Sequence, residues 1–429
     1  MAYYLLFYLT ISFLLILAIE YKLKSVSLLL WGGLSIFFLL PHAVDIFIGQ
    51  GEYTIDTYNK ASLFALLFNI FYLATRLFLT NSKKIRVFKI NVSNSNDLNN
   101  SFIRNLFILL LISFAFLIYF ILTTFGGFFE FTWIDIFDLR GGFSYIIYTY
   151  LFSMCIPLLF LAHFYKKKFV FFITLIILIL IVFLFRIRAY LIPITIPFII
   201  NYILSEKFKI NVFNFFKTLI LSLLTIILIV GLGVFKAFGT LSNFYYSITF
   251  SEFANMLYGI SFSKYGELGL RNAFYFYLEN DNQFSNFGKG LGYIRLFMLP
   301  IPSSLSLGLK PQDFAMDMAM AYDPINSTAG VNSMHPTLYG DCYANLGWFG
   351  VCLGIFWACF AFTGDQLTKS TSNNILHISL FVAYAYAYTF IARGAIYNGV
   401  YNVFYILLTH SILFYIIQFT HRKKIKTSI

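Results

Sequence analysis

Apolar side chains run along this chain in long blocks, not in the alternation of a half-buried strand or the three-four spacing of an amphipathic helix. Each block comes close to the roughly 20 residues that a helix needs to cross a bilayer. Eleven such blocks can be cut from the sequence: Ala2 to Ile19, Ser27 to Ile48, Ala61 to Leu79, Leu106 to Leu122, Tyr145 to Phe164, Phe169 to Phe185, Ala189 to Leu204, Thr218 to Phe238, Tyr343 to Thr363, Ile375 to Ile391 and Val400 to Phe419. The pattern predicts an all-α polytopic membrane protein with about eleven transmembrane helices. The first block has no basic leading region and no small-residue cleavage site, so it reads as a retained helix and not as a signal peptide.

Composition strengthens this reading. Of the 429 residues 60% are hydrophobic, 21% aromatic and 11% charged, and the mean hydropathy is +0.79. A soluble domain carries roughly 25% charged residues, so there is too little polar surface here to coat a water-facing body. A soluble enzyme, a nucleic-acid-binding protein and a disordered scaffold are excluded. The formal charge of +12 does not reopen the question of nucleic acid, because cytoplasmic loops collect lysine and arginine for topology alone. Cys155, Cys342, Cys352 and Cys359 have no metal-ligand spacing and read as small buried apolar residues.

Taken alternately, the connecting segments divide the basic residues unequally. The richer set includes Lys22, Lys24, Arg76, Lys83, Lys84, Lys166 to Lys168, Lys207 and the tail from Arg422 to Lys426. By the positive-inside rule this set is cytoplasmic, which predicts the N-terminus outside and the C-terminus inside. The inner set holds fifteen lysines and four arginines, the outer set five lysines and six arginines. Topology does not demand that bias. Arginine grips phosphate and carboxylate with two parallel hydrogen bonds, so the outer face reads as built to hold an anion, although arginines paired with loop carboxylates or headgroups would give the same count. Only one connection is long, and it lies outside. The predicted organisation is therefore 1 to 238 as the first eight helices, 239 to 342 as a large outer loop rich in proline and glycine, and 343 to 429 as the last three helices with a basic tail. Long loops in compact proteins usually carry function.

Candidate chemistry collects on that outer side. Arg186 and Arg188 separate two helices by almost nothing, so both guanidiniums are expected at the membrane boundary, a costly position unless an anion meets them. In the long loop, Arg295 precedes Pro300 and Pro302, and Lys310 precedes Pro311, fixing two cations near stiffened, partly apolar backbone that can lie on the membrane surface. Further along, His335 and Asp341 stand six residues apart, and Asn345 falls four beyond Asp341, on one helical face if the helix begins early. Histidine moves protons near neutral pH and a carboxylate can orient it or act as base itself. Arg393 is the only charge between the last two blocks, and Gly394 beside it would let backbone approach a ligand closely. The run from Gly288 to Gly292 lacks the spacing of a phosphate loop, and the Ala/Tyr alternation from Ala383 to Tyr388 reads as helix packing. Apart from these outer residues the helix interiors read as nearly free of charge, which argues against a transport path.

Arg186-Ile187-Arg188, Met298-Leu299-Pro300 continuing to Lys310-Pro311, and His335-Pro336-Thr337 continuing to Asn345-Leu346-Gly347-Trp348-Phe349-Gly350 resemble the O-antigen polymerases of the Wzy type, the oligosaccharide repeat-unit polymerases. So does the layout of ten or more helices with one large outer loop before the last three. The chain departs from the usual pattern at Pro300, which is followed by Ile301 where an arginine is common. The resemblance implies a glycosyltransferase of the bacterial inner membrane, working at the periplasmic face without metal, cofactor or nucleotide sugar. Its donor would be a polyprenyl-diphosphate-linked oligosaccharide and its acceptor a second lipid-linked repeat unit, with membrane lipids, a chain-length regulator and a flippase as partners and no nucleic acid. Under that reading Arg186, Arg188 and Arg393 hold the diphosphate, with Arg271, Arg295 and Lys310 as further candidates. His335 or Asp341 takes the proton of the acceptor hydroxyl, and Tyr343 and Asn345 support them. An O-antigen ligase and a lipid-linked oligosaccharide flippase are the competing readings.

Overall fold

The computed structural model describes residues 1–48, 52–81, 96–125, 143–185, 191–205, 220, 269–280, 290–301, 306–311, 314–322, 334–368 and 375–427. Helices coincide with every predicted block except Thr218 to Phe238, which lies almost wholly outside the described residues. In chain order they are α1 (Ala2–Lys22), α2 (Leu28–Leu34), α3 (Leu40–Ile48), α4 (Ile55–Asn81), α5 (Asn96–Phe125), α6 (Phe143–Phe164), α7 (Lys168–Phe185) and α8 (Leu191–Leu204). A wide turn over Ser35–Leu39 joins α2 to α3. There follow α9 (Leu270–Glu279), α10 (Leu291–Phe297), α11 (Phe314–Tyr322), α12 (Thr337–Leu346), α13 (Leu353–Thr368), α14 (Ile375–Arg393) and α15 (Ile396–Thr427).

Among the described residues seven helical stretches are long and apolar enough to cross a membrane, and the protein is an all-α, multi-span membrane protein. Its surface agrees, since large apolar side chains such as Leu14, Phe78 and Ile112 point outward and are more than half exposed. That is unfavourable in water and favourable in lipid. The stretch from Ile375 to Arg393 differs, with 89% of its apolar window buried. Apolar on all sides, α14 is buried on all sides. The Ala383 to Tyr388 alternation belongs to it and is wholly buried, as a packing motif should be.

The chain forms two compact units, and neither follows the order of the sequence. One unit takes Met1–Val87, Tyr258–Asp365 and Ala387–Tyr401; the other takes Phe88–Leu257, Gln366–Tyr386 and Asn402–Ile429. In the first, α1 packs along α4, and α9 rests on both α4 and α12. The described part of the long connection thus holds three helices, of which α9 is folded onto α4. In the second, α6 packs against α5, α7 and α8. Within it Phe160 sits 5.1 Å from Phe198 and 5.8 Å from Phe381, ring to ring, in tilted contacts.

Two expectations need correction. Cys155 and Cys342 are buried, but Cys352 and Cys359 are exposed, because they fall on the outward side of the helical stretch that carries them. The helix interiors are also not free of charge. Arg76 of α4 is fully buried and grips Glu20 of α1 with both arms of its fork, Nε to Oε1 and Nη2 to Oε2 each at 2.8 Å. The same Nη2 donates to Asp365 of α13, while Tyr72 and Ser27 donate to Glu20 and Ser25 donates to Asp365. Glu20 and Asp365 stand near helix ends, just beyond the predicted blocks, whereas Arg76 lies within the block Ala61 to Leu79. The fold draws them inward because the guanidinium supplies the counter-charge of both carboxylates and they supply its hydrogen-bond acceptors, which makes the burial tolerable.

Candidate functional site

One end of the first unit carries a cleft. Its lining includes Arg295 and Tyr293 of α10, His335 just before α12, Asp341 within α12, and Gly394 to Asn398, which form the turn from α14 into α15. The space between these side chains, open solvent included, amounts to about 410 Å³. Three of the residues singled out in the sequence, Arg295, His335 and Asp341, thus meet although as many as 46 positions separate them.

Local structure explains why they hold their places. Asn345 sits one helical turn beyond Asp341 and donates through Nδ2 to both the Asp341 carbonyl and its Oδ1, at 3.0 and 3.2 Å. Its own Oδ1 accepts from the backbone N–H of Gly292 at 3.0 Å. One buried amide therefore orients the carboxylate and ties α10, with Arg295, to α12. Gly292 is small enough for this, since a Cβ there would stand 2.8 Å from that Oδ1. Tyr343, also expected as a supporting residue, packs edge-on against Phe64 and Trp348 and fixes α12 on α4.

Backbone strain is concentrated at the same place. Thr337 is buried and has φ of +68°, a conformation that costs a β-branched residue about 1–3 kcal/mol and is found where surrounding structure enforces it. Gly394 enforces it from the other side, with φ of +92° and a backbone so close that a Cβ would lie 2.8 Å from the Thr337 carbonyl. The close approach expected of Gly394 toward a ligand is thus made to the Thr337 backbone. The two turns hold His335 and the start of α15 at fixed spacing. A helix begins there, so its dipole favours negative charge on the cleft side.

The cations divide into three groups. Arg186 and Arg188 lie outside the described residues. Arg271 of α9 makes a fork with Asp45 of α3, Nε to Oδ2 at 2.6 Å and Nη2 to Oδ1 at 2.7 Å, and does not line the cleft. Burial opposes its charge, and Asp45 outweighs burial, so its pKa lies above the ordinary guanidinium value. Arg393 immediately precedes the cleft-lining Gly394. Arg295 donates to the Pro311 carbonyl, and Lys310 donates to the Ile301 carbonyl at 2.8 Å. Partial burial, and then the charge of Arg295, draw the Lys310 ammonium below its usual pKa.

Three features were not anticipated. Tyr397 and Tyr293 line the cleft and carry no motif; the only hint was the position of Tyr397 one turn after Arg393. Behind the Arg271 pair, His42 bridges Ser62 at 2.7 Å and Tyr275 at 2.6 Å, and Tyr275 donates to Asp45 at 3.3 Å. This chain pins α9 to α3 and α4 and is fully buried at His42, where no substrate reaches it. Compared with protein-family models, curated proteins and solved structures, the chain gives no match.

Proposed function

We propose that this protein polymerises lipid-linked oligosaccharide repeat units, of O-antigen or a similar surface polysaccharide, at the periplasmic face of the bacterial inner membrane. The observation that carries the reading is the cleft in which a guanidinium, an imidazole and an amide-oriented carboxylate converge. The bias of outer basic residues toward arginine and the resemblance of the His335 to Gly350 run to Wzy-type polymerases support it. In this reading eleven helices span the membrane, the N-terminus is outside and the C-terminus inside, and the cleft opens on the outer side.

The reaction is a displacement at the anomeric carbon of the donor sugar. The acceptor hydroxyl oxygen forms the new bond to that carbon as the bond to the diphosphate oxygen breaks, and the electron pair leaves with the diphosphate. His335 takes the hydroxyl proton, and Asp341, held by Asn345, is the fixed negative charge that favours the imidazolium formed. Arg295 and Lys310, with Arg393 and the outer Arg186 and Arg188, stabilise the departing charge. No acid is needed to protonate so stable an anion, unlike the leaving group of a glycosidase.

A glycan-stained gel of surface polysaccharide from a deletion strain, with and without the restored gene, tests this reading. Deletion is expected to leave a single capped repeat unit where the wild type gives a ladder. If no repeat unit reached the surface at all, export or ligation would be the failed step and the polymerase assignment would be wrong.

A further inference from the structure

The ring of Tyr397 carries two cations. The guanidinium carbon of Arg295 lies 4.5 Å from its centroid and the ammonium of Lys310 lies 5.7 Å away, both within the range of a cation–π contact. Among the described residues the hydrogen bonds of these two groups go to the backbone carbonyls of Pro311 and Ile301. Among the described residues neither makes an ion pair, in contrast to Arg76 and Arg271, each of which is forked onto a carboxylate. Arg295 is partly buried, and its Nε is shut off from solvent without a hydrogen-bond acceptor.

This arrangement has a chemical consequence. A carboxylate beside Arg295 would hold it equally well and would cancel its charge. An aromatic face and two carbonyls hold both cations in place and leave the charge of each intact. Two like charges over one ring repel each other, and among the described residues no carboxylate pairs with either, so the pair is at its most stable when an anion joins it.

We propose that Tyr397 is a positioning residue that sets Arg295 and Lys310 side by side to receive an anion with at least two negative charges, of the phosphate monoester or diphosphate class. The inference rests on reading the cleft as the diphosphate site, and it adds the residue that builds the site and the charge it selects. Tyr397 acts through the cations and does no chemistry itself.

Binding of inorganic pyrophosphate and of farnesyl diphosphate to the purified full-length protein in detergent tests it, with thermal melting run in parallel. Tyr397→Phe keeps the ring face and is expected to bind pyrophosphate within about threefold of wild type, while Tyr397→Leu is expected to lose roughly tenfold. Tyr397→Glu places a carboxylate against Arg295 and is expected to abolish binding while melting no lower than the leucine variant. Wild-type affinity in the leucine or glutamate variant would overturn the role of Tyr397 and leave the diphosphate reading standing. A tenfold loss in the phenylalanine variant would overturn it as well, by moving the effect from the ring to the hydroxyl. If the wild type bound neither probe, both readings would fall together. Tighter binding of farnesyl diphosphate assigns the anion to a prenyl lipid; equal binding assigns it to free diphosphate, and either result supports the clamp.

Discussion

Replacing His335 by alanine is expected to lower polymer formation by about 10²- to 10⁴-fold, the range that a positioned proton acceptor contributes, with no change in the amount of protein in the membrane. The physical reason lies in the cleft. An acceptor hydroxyl is a poor nucleophile while it keeps its proton, and His335 is the group in the cleft lining whose ordinary pKa lies closest to neutral. His335→Gln keeps much of the size and hydrogen-bonding capacity but cannot accept the proton, so it is expected to be as inactive as the alanine variant. Full ladders on a glycan gel from a null strain carrying either variant would remove His335 from the reaction. Loss of activity in His335→Ala with recovery in His335→Gln would reduce the residue to a structural role, which the strained turn at Thr337 makes a real competitor.

The second large effect is on stability. Arg76→Ala is expected to destabilise the protein by about 3–5 kcal/mol, the cost of breaking a buried ion pair by removing one partner. Glu20 and Asp365 are both buried, and without the guanidinium two carboxylates would face each other across α1, α4 and α13. Much of a stability of about 5–15 kcal/mol would be lost. Arg76→Lys is expected to fall between, because a single ammonium cannot reproduce the two parallel bonds to Glu20. Thermal melting in detergent measures both variants. An Arg76→Ala protein that melts with the wild type would show that the cluster is dispensable.

What could be read from the sequence and what could not differ for one physical reason. A membrane helix announces itself locally, through twenty apolar neighbours in a row, so α1, α4, α14 and α15 were found close to where they lie. The spacing of Asp341 and Asn345 is also local, and it correctly predicted a shared helical face. The Asn345-Leu346-Gly347-Trp348-Phe349-Gly350 run resolves into a helix end, since Gly347 takes φ of +57° and ψ of −141°, followed by a tight turn whose Gly350 presses on the Cys342 backbone and the Phe64 ring.

Pairings across the chain leave no such mark. Arg76 and Asp365 are separated by 289 positions and Arg271 and Asp45 by 226, so nothing nearby shows that these charges are internal partners. Arg271 and Arg295 are both arginines of the one long connection between predicted helices. Only the position of Asp45 makes one a structural fork and leaves the other facing a cleft. Tyr397 was invisible for a related reason, being one of 31 tyrosines and distinguished solely by the two cations above its ring.

The most direct test of polymerisation uses the purified protein in proteoliposomes, supplied with a polyprenyl-diphosphate-linked repeat unit as both donor and acceptor. A ladder of lipid-linked products that lengthens with time is expected, with one polyprenyl diphosphate released for each unit added. Folded protein that forms no such products, or that transfers the glycan only to a lipid A core or only moves the lipid-linked unit across the bilayer, would contradict it.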